Sequence, residues 1–375
     1  MERFDFNQGL PDPDSIPLEQ LAEAASETML RDGFELRRYP AKLGLTALRE
    51  VALRRIASRG SAGARLDDVV LTSGALQAIG LAASALAAPG DSVIVEERTY
   101  ALAMRIIRRH GLRLVPVPMD DRGLRVDALA NVLAGEAARG APPKLAYLIP
   151  THHNPTGVTL AAERRLPLLD LTRAHGVTVI EDDCYADICF EPACAPTLHS
   201  LAPESVVYVG SFSKLLAPGF RLGYFAAAPE LRDRMLAHKN DGGTSDVSAR
   251  IAARYLDRNL DDHVRRVRRI VQGSSQVMEA ALDRHLAPAG SRWLTPTGGY
   301  FFWVELPPGL SPRALAGVAA ERGLAYGSGR DYDVAGADIP YVRLCITSEP
   351  ADRIDPGIAV LGDCLGRAAS MRQVA

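Results

Sequence analysis

Between residues 65 and about 240, short apolar runs alternate with stretches of helical period. The runs stand at 69–71, 92–95, 112–117, 145–149, 177–180 and 206–209, and their unbroken apolarity predicts strands buried on both faces. Helices are predicted between the first five, near 75–88, 100–110, 127–138 and 161–175. Such alternation is the mark of the α/β class: a mostly parallel sheet covered by helices, with ligands beyond the carboxyl ends of its strands. Ser73, Thr99, Asn154 and Asp182 fall just after those ends. Residues 222–226 read as one more strand, antiparallel to the rest.

The flanks follow other patterns. After a short extended arm, Leu18, Leu21, Ala22, Ala25 and Met29 recur at helical spacing and predict the buried stripe of a helix over 17–32. Asp14 or Ser15 suits its cap, Pro17 its first turn and Gly33 its end. A second helix is predicted over 47–58, with Thr46 as cap and Gly60 as stop. The run Asn240-Asp241-Gly242-Gly243-Thr244-Ser245-Asp246 reads as a linker. Beyond it come an arginine-rich amphipathic helix (247–285), a strand (300–305), a helix (312–322), a strand (342–346) and a last helix (351–367). This pattern divides the chain into an arm with a helix (1–45), a large α/β domain (46–245) and a smaller α+β domain (246–375).

Composition narrows the functional classes. The chain has 375 residues, a formal net charge of −2 and 47% hydrophobic residues. That balance gives no electrostatic footprint for nucleic acid or an anionic membrane. No apolar stretch approaches the roughly 20 residues a membrane span needs. The start, Met-Glu-Arg-Phe-Asp-Phe, does not read as a signal peptide, and cytoplasmic localisation is expected. Cysteines 184, 189, 194, 345 and 364 form no Cys-x-x-Cys pair, and reduced thiols are expected.

Among 43 Lys+Arg only four are lysines: Lys42, Lys144, Lys214 and Lys239. Arginine therefore serves almost everywhere that a generic cation would do. Lys214 lies in Ser211-Phe212-Ser213-Lys214, followed by Pro218-Gly219-Phe220-Arg221-Leu222-Gly223. A nucleophilic lysine needs an amine that can lose its proton, and a bound phosphate needs hydroxyls, backbone N–H groups and a guanidinium. This stretch supplies all of them, a combination suited to pyridoxal phosphate, whose aldehyde joins a lysine amine as a Schiff base.

Other segments fit the same cofactor. Glu181-Asp182-Asp183-Cys184-Tyr185 closes an apolar strand with three acids, of which Asp182 is assigned to the pyridine nitrogen and Tyr185 to the ring oxygen. Asn154, after His152-His153, offers a donor to that oxygen. Ser73-Gly74-Ala75 opens a helix whose N–H groups can approach a phosphate. Tyr100 can stack on a planar ring. Arg343 stands inside an apolar strand, where it invites a carboxylate or a structural ion pair.

Five motifs in order carry a family resemblance: His-Asn-Pro-Thr-Gly (153–157), Val-Ile-Glu-Asp-Asp (179–183), Ser-Phe-Ser-Lys with Pro-Gly-Phe-Arg-Leu-Gly (211–223), Thr-Gly-Gly-Tyr-Phe-Phe-Trp (297–303) and Val-Arg-Leu (342–344). The chain resembles fold-type I pyridoxal-phosphate-dependent aminotransferases of class I/II. Within them it is similar to aminoadipate and aromatic aminotransferases and to the aminotransferase part of MocR-type regulators. The resemblance implies that Lys214 carries the Schiff base and Asp182 pairs with the ring nitrogen. Asn154 and Tyr185 would hold the ring oxygen, and Tyr100 would stack. Ser73, Gly74, Ala75, Ser211, Ser213 and Arg221 would surround the phosphate, with Tyr39 reaching it from the partner of a homodimer. Arg343 would grip the α-carboxylate of an amino acid or 2-oxo acid.

Ala75 stands where relatives usually have a hydroxyl, Leu76 where they often have glutamine and Cys184 where they often have tyrosine. The expected reaction is amino-group transfer from an L-amino acid to a 2-oxo acid. The rival is elimination, replacement, cyclisation, decarboxylation or oxidation on the same cofactor. A ligand-binding regulator is disfavoured, because Tyr39 and the sheet begin too early for a winged-helix domain ahead of them. Relatives that bind acidic side chains often use an arginine near the segment 9–20, which here holds Asp12, Asp14 and Glu19 but no arginine, so the resemblance argues against an acidic donor.

Overall fold

The computed structural model describes residues 2–191 and 194–374. Its centre is a seven-stranded sheet formed by β1 (Val69–Thr72), β2 (Ser92–Glu96), β3 (Arg113–Val117), β4 (Leu145–Leu148), β5 (Thr178–Asp182), β6 (Val206–Ser211) and β7 (Gly223–Ala226). The order across the sheet is β1-β7-β6-β5-β4-β2-β3. All neighbours are parallel except β7, which runs antiparallel to both β1 and β6 as the sequence pattern predicts. Every residue of β1, β2, β4 and β6 is buried, so helices cover both faces.

The helices fall close to their predicted places. α1 is Leu18–Asp32, α2 Thr46–Ser58, α3 Ala75–Leu86, α4 Ala101–Arg109, α5 Val126–Ala138 and α6 Ala162–Ala174. After the linker comes α7, Asp246–His285, whose buried face includes Val267, Val271, Met278 and Leu282 at helical spacing. Burying each such side chain contributes about 1.5–3 kcal/mol. A second, four-stranded sheet contains β8 (Phe301–Glu305) paired antiparallel to β9 (Tyr341–Cys345), backed by α8 (Ala351–Val374). The N-terminal strand Phe4–Asp5 joins this part of the molecule, pairing in parallel with Leu324–Ala325.

Four expectations are corrected. The buried stripe of α1 is Leu21, Ala24 and Thr28, whereas Leu18 is 71% and Met29 57% exposed and Ala22 also faces outward. Arg254 on α7 sets this rotation by binding Glu27 and Asp32 and donating to Thr28 Oγ1 at 3.2 Å. Asp14 and Ser15 do not cap α1: they lie in a separate turn, Pro13–Ser15, capped by Asp12. Thr46 is the first residue of α2, not its cap. The thiols are not all reduced either, since Cys189 and Cys194 form a disulfide. Residues 188–190 lie along 297–299, and the return of the chain leaves the two Cα atoms 6.6 Å apart. Cys184, Cys345 and Cys364 are free.

Candidate active site

β1, β4, β5 and β6 end on one side of the sheet, and a cavity of about 500 Å³ lies beyond those ends. Its walls include Gly74, Ala75, Tyr100, Asn154, Asp182, Tyr185, Ser211, Ser213, Lys214, Arg221 and Arg343. The topology thus brings together eleven of the predicted site residues from segments more than 250 positions apart. A larger cavity, about 860 Å³, is lined by arginines around Arg59 and Arg268 but contains neither Lys214 nor Asp182. Chemistry rather than size selects the smaller one.

Strand alternation separates the three consecutive acids. Glu181 turns away to accept from the backbone N–H groups of Leu198 and His199, both at 2.8 Å. Asp183 accepts from Tyr208 Oη at 3.0 Å and pairs with Arg59 at 3.2 Å. Asp182 alone faces the cavity. Its Oδ2 accepts from Tyr147 Oη at 2.8 Å and its Oδ1 from Cys184 N at 3.3 Å. Burial pushes this carboxyl above its ordinary range, and those bonds partly offset the push.

Lys214 follows the end of β6. Its Nζ donates to the Gly9 carbonyl at 2.6 Å and lies 5.8 Å from the ring centroids of Tyr185 and Tyr300. Burial holds the amine below the ordinary lysine range, and the positive Arg343 acts in the same direction. The lysine backbone is fixed as well, because Tyr300 Oη donates to its carbonyl at 2.9 Å.

Arg343 is 5% exposed and pairs with no carboxylate among the described residues. Its Nη1 donates to Asn154 Oδ1 at 2.9 Å, its Nη2 to the Asn7 carbonyl, and its Nε has no partner among the described residues. The guanidinium lies over Phe301 at 4.1 Å and Tyr332 at 4.7 Å from the ring centroids. A buried cation with an unsatisfied donor is a site for an anion. That outcome removes the structural ion pair from consideration.

At the opposite corner, α3 starts without a side-chain cap, and its N-cap Gly74 has φ +95°. A Cβ at Gly74 would stand 3.0 Å from Arg221 Nη2, so glycine keeps open the space between the helix N-terminus and that guanidinium. With Ser211 and Ser213 beside them, these groups form an anion cradle at the positive end of a helix. Ala75 brings no hydroxyl, and Leu76 adds an apolar wall.

Three predicted residues do not line the cavity. Ser73 instead accepts from Arg221 Nη2 through its carbonyl at 3.0 Å, which aims the guanidinium. Thr99 is fully buried behind the site, where its N–H donates to the Tyr332 carbonyl. Tyr39 is 91% exposed and stands beside the Gly242 loop. The sequence reading missed Tyr147, Tyr332 and the arm Asn7–Leu10 that closes over Lys214. Tyr147 sits in an apolar strand where its hydroxyl was a signal, since a buried phenol needs a partner. No signal marked the arm.

The donor set fits pyridoxal phosphate. A depressed amine, a buried carboxylate across the cavity and an anion cradle with a free helix start match an aldehyde, a pyridine nitrogen and a phosphate respectively.

Comparisons with known proteins agree. Residues 2–358 match the family model described as aminotransferase class I and II. The chain is 32% identical to aromatic-amino-acid aminotransferase 1 of Thermococcus litoralis, over 95% of this chain and 86% of that protein. It is 33% identical to 2-aminoadipate transaminase of Thermus thermophilus, over 96% and 89%. Among solved structures, Pyrococcus horikoshii kynurenine aminotransferase superposes with a TM-score of 0.92 at 31% identity, covering 98% of this chain and 91% of that one. Sequence and backbone agree along nearly the whole length, and the site holds the donors this chemistry requires. The chain belongs to the class I and II aminotransferases, enzymes that move amino groups with pyridoxal phosphate.

Proposed function

We propose that the protein transfers the amino group of an L-amino acid with an apolar or aromatic side chain to a 2-oxo acid. When bound, pyridoxal phosphate supplies a carbonyl that accepts the amine and a ring that takes up charge from the substrate Cα. Lys214 takes the Cα proton and returns it, a role for which an amine already held below the lysine range is suited. Asp182 keeps a proton on the ring nitrogen, and Tyr147 orients Asp182. Asn154 and Tyr185 hold the ring oxygen, and Tyr100 lies against the ring. Gly74, Ala75, Ser211, Ser213 and Arg221 hold the phosphate, with Ser73 positioning Arg221. Arg343 grips the substrate carboxylate with parallel hydrogen bonds.

The observation that carries this reading is the convergence of Lys214, Asp182 and Arg343 on one cavity. Its remaining walls include Leu10, Leu76, Leu102, Ile149, Phe301 and Tyr332. Among the described residues the lining cations are Lys214, Arg221 and Arg343, and with Lys214 at the amine, Arg221 at the cradle and Arg343 at the carboxylate position none is left for an acidic side chain. The name of the aromatic-amino-acid relative points the same way.

The large and small parts meet at the linker 240–246, which we propose as the domain boundary. We further propose a homodimer: Leu18, Met29, Leu30, Phe34 and Tyr39 are exposed on one chain, an apolar set that a second copy would cover.

The test is a half-reaction. Purified holoenzyme given phenylalanine alone should release one 2-oxo acid per active site and then stop until a second 2-oxo acid is added. Continuous turnover on the amino acid alone would favour elimination or another reaction instead. Lys214→Ala protein that still transaminates at full rate would sink the assignment of the lysine.

A further inference from the structure

His152 precedes Asn154 of the active site by two residues, yet it does not line the active-site cavity. It is 2% exposed, and its Nε2 has no hydrogen-bond partner among the described residues. Its Nδ1 faces Thr159 Oγ1 at 3.4 Å, so the tautomer protonated there leaves the Nε2 lone pair free. A buried, unpartnered ring nitrogen of this kind costs stability unless something binds it.

The sulfurs of Cys189 and Cys194 stand beside it. One ring nitrogen of His152 and both sulfurs lie within 4.8 Å of one another. The backbone makes room for the ring, since a Cβ on Gly298 would meet His152 Cε1 at 2.3 Å and Nε2 at 2.4 Å. The same glycine is bridged to Cys189, which ties the histidine and the first cysteine to one short ladder. Cys189 is buried and Cys194 half-buried at the wall of the larger cavity, so one side of the cluster opens to solvent. That cavity is lined by both signs of charge, Arg59 and Arg268 together with Asp187 and Glu191 among them.

We propose that His152, Cys189 and Cys194 form a binding site for a thiophilic divalent cation, Zn²⁺ above all, available when the two sulfurs are reduced. Two thiolates and a neutral imidazole are a zinc donor set, and water from the cavity completes a tetrahedron. The two thiolate charges cancel the charge of the ion, so the complex adds no net charge beside the arginines.

The chemistry balances in two steps. A dithiol reductant gives two electrons and two protons to the Cys189–Cys194 bond, yielding two thiols, and is itself closed to a disulfide. Zn²⁺ then displaces the two thiol protons and binds both sulfurs and Nε2. A disulfide oxidant that accepts two electrons from the thiolates is reduced to a dithiol, closes the Cys189–Cys194 bond and so releases the ion. The segment 297–299, which is bridged to Cys189, leads directly into Tyr300, whose hydroxyl holds the Lys214 carbonyl.

Co²⁺ replaces Zn²⁺ as the optical probe. Reduced holoenzyme titrated with Co²⁺ should develop the charge-transfer absorption that only thiolate ligands give, saturating at a single equivalent and lost on adding Zn²⁺. Disulfide-bonded protein and the Cys189→Ser/Cys194→Ser double variant should lack the band, and His152→Asn should weaken it while the cofactor absorption stays unchanged. A second measurement needs no variant: Zn²⁺ should slow alkylation of Cys189 and Cys194 in reduced wild-type protein, read by mass spectrometry. Equal alkylation with and without Zn²⁺, or a cobalt band that persists in the double serine variant, would overturn the site.

Discussion

Tyr147→Phe tests the proposed function where it is most specific. The Tyr147 ring is fully buried in β4, so phenylalanine keeps its packing and removes only the oxygen that donates to Asp182 Oδ2 at 2.8 Å. A hydrogen bond to a charged group is worth about 1.5–3 kcal/mol, and one pKa unit corresponds to about 1.4 kcal/mol. Losing the bond should therefore raise the Asp182 pKa by about one to two units, on top of the upward push of burial. The Cys184 N–H remains, which places the effect near the lower end.

Asp182 must be ionised to hold the ring-nitrogen proton, so a higher pKa moves the acid limb of the kcat/KM profile upward by about one unit. Below that limb activity falls about tenfold, and above it folding stability falls by about 1.4 kcal/mol, the linked cost of a one-unit rise in the folded pKa. The assay is a pH series of kcat/KM for wild-type and Tyr147→Phe holoenzyme, with urea unfolding as control. An unshifted acid limb and unchanged kcat/KM, in an enzyme that Asp182→Asn cripples, would show that Asp182 works without its tyrosine.

The remaining predictions concern the carboxylate, the partner subunit and pH. Arg343→Lys replaces a fork by a point charge and should cost about ten- to hundredfold in kcat/KM, mostly through KM; an unchanged KM for every amino acid would remove Arg343 from substrate binding. In the proposed homodimer Tyr39→Phe should speed loss of cofactor, although the ring does not line the cavity of its own chain, and cofactor retention on dialysis reads this directly. His199 is buried against Ser61 Oγ, and burial lowers its pKa to about 4. The folded pKa lies below the unfolded value near 6.5, so the unfolded chain binds the proton first. Stability is then full well above pH 6.5 and falls as pH drops toward 4, by about 1.6 kcal/mol between pH 6.5 and 5 from this residue alone. His263 is shifted in the same direction by burial. His199→Gln should flatten the fall in urea-unfolding free energy, and an unaltered slope would mean that His199 is already solvated.

Local pattern made the sheet legible because strands buried on both faces leave an unbroken apolar signature, as in β1 and β4. The site was legible for a different reason: Lys214, Asp182 and Arg343 each break the local rule of their segment, a lysine in an arginine chain, acids closing a strand, a cation inside one. What stayed hidden depends on long-range geometry. No property of Gly9 announces that its carbonyl will accept from Lys214, more than 200 residues away. The rotation of α1 was misread because Leu18 and Met29 are apolar, yet Arg254 and its two acidic partners on α1 turn them outward. Amphipathicity predicts which face could be buried within one chain, and an ion pair across two helices can overrule it. The exposure is itself informative: in the proposed homodimer, the apolar residues that a single chain leaves in water are those a second copy would cover, on the same stretch of chain as Tyr39.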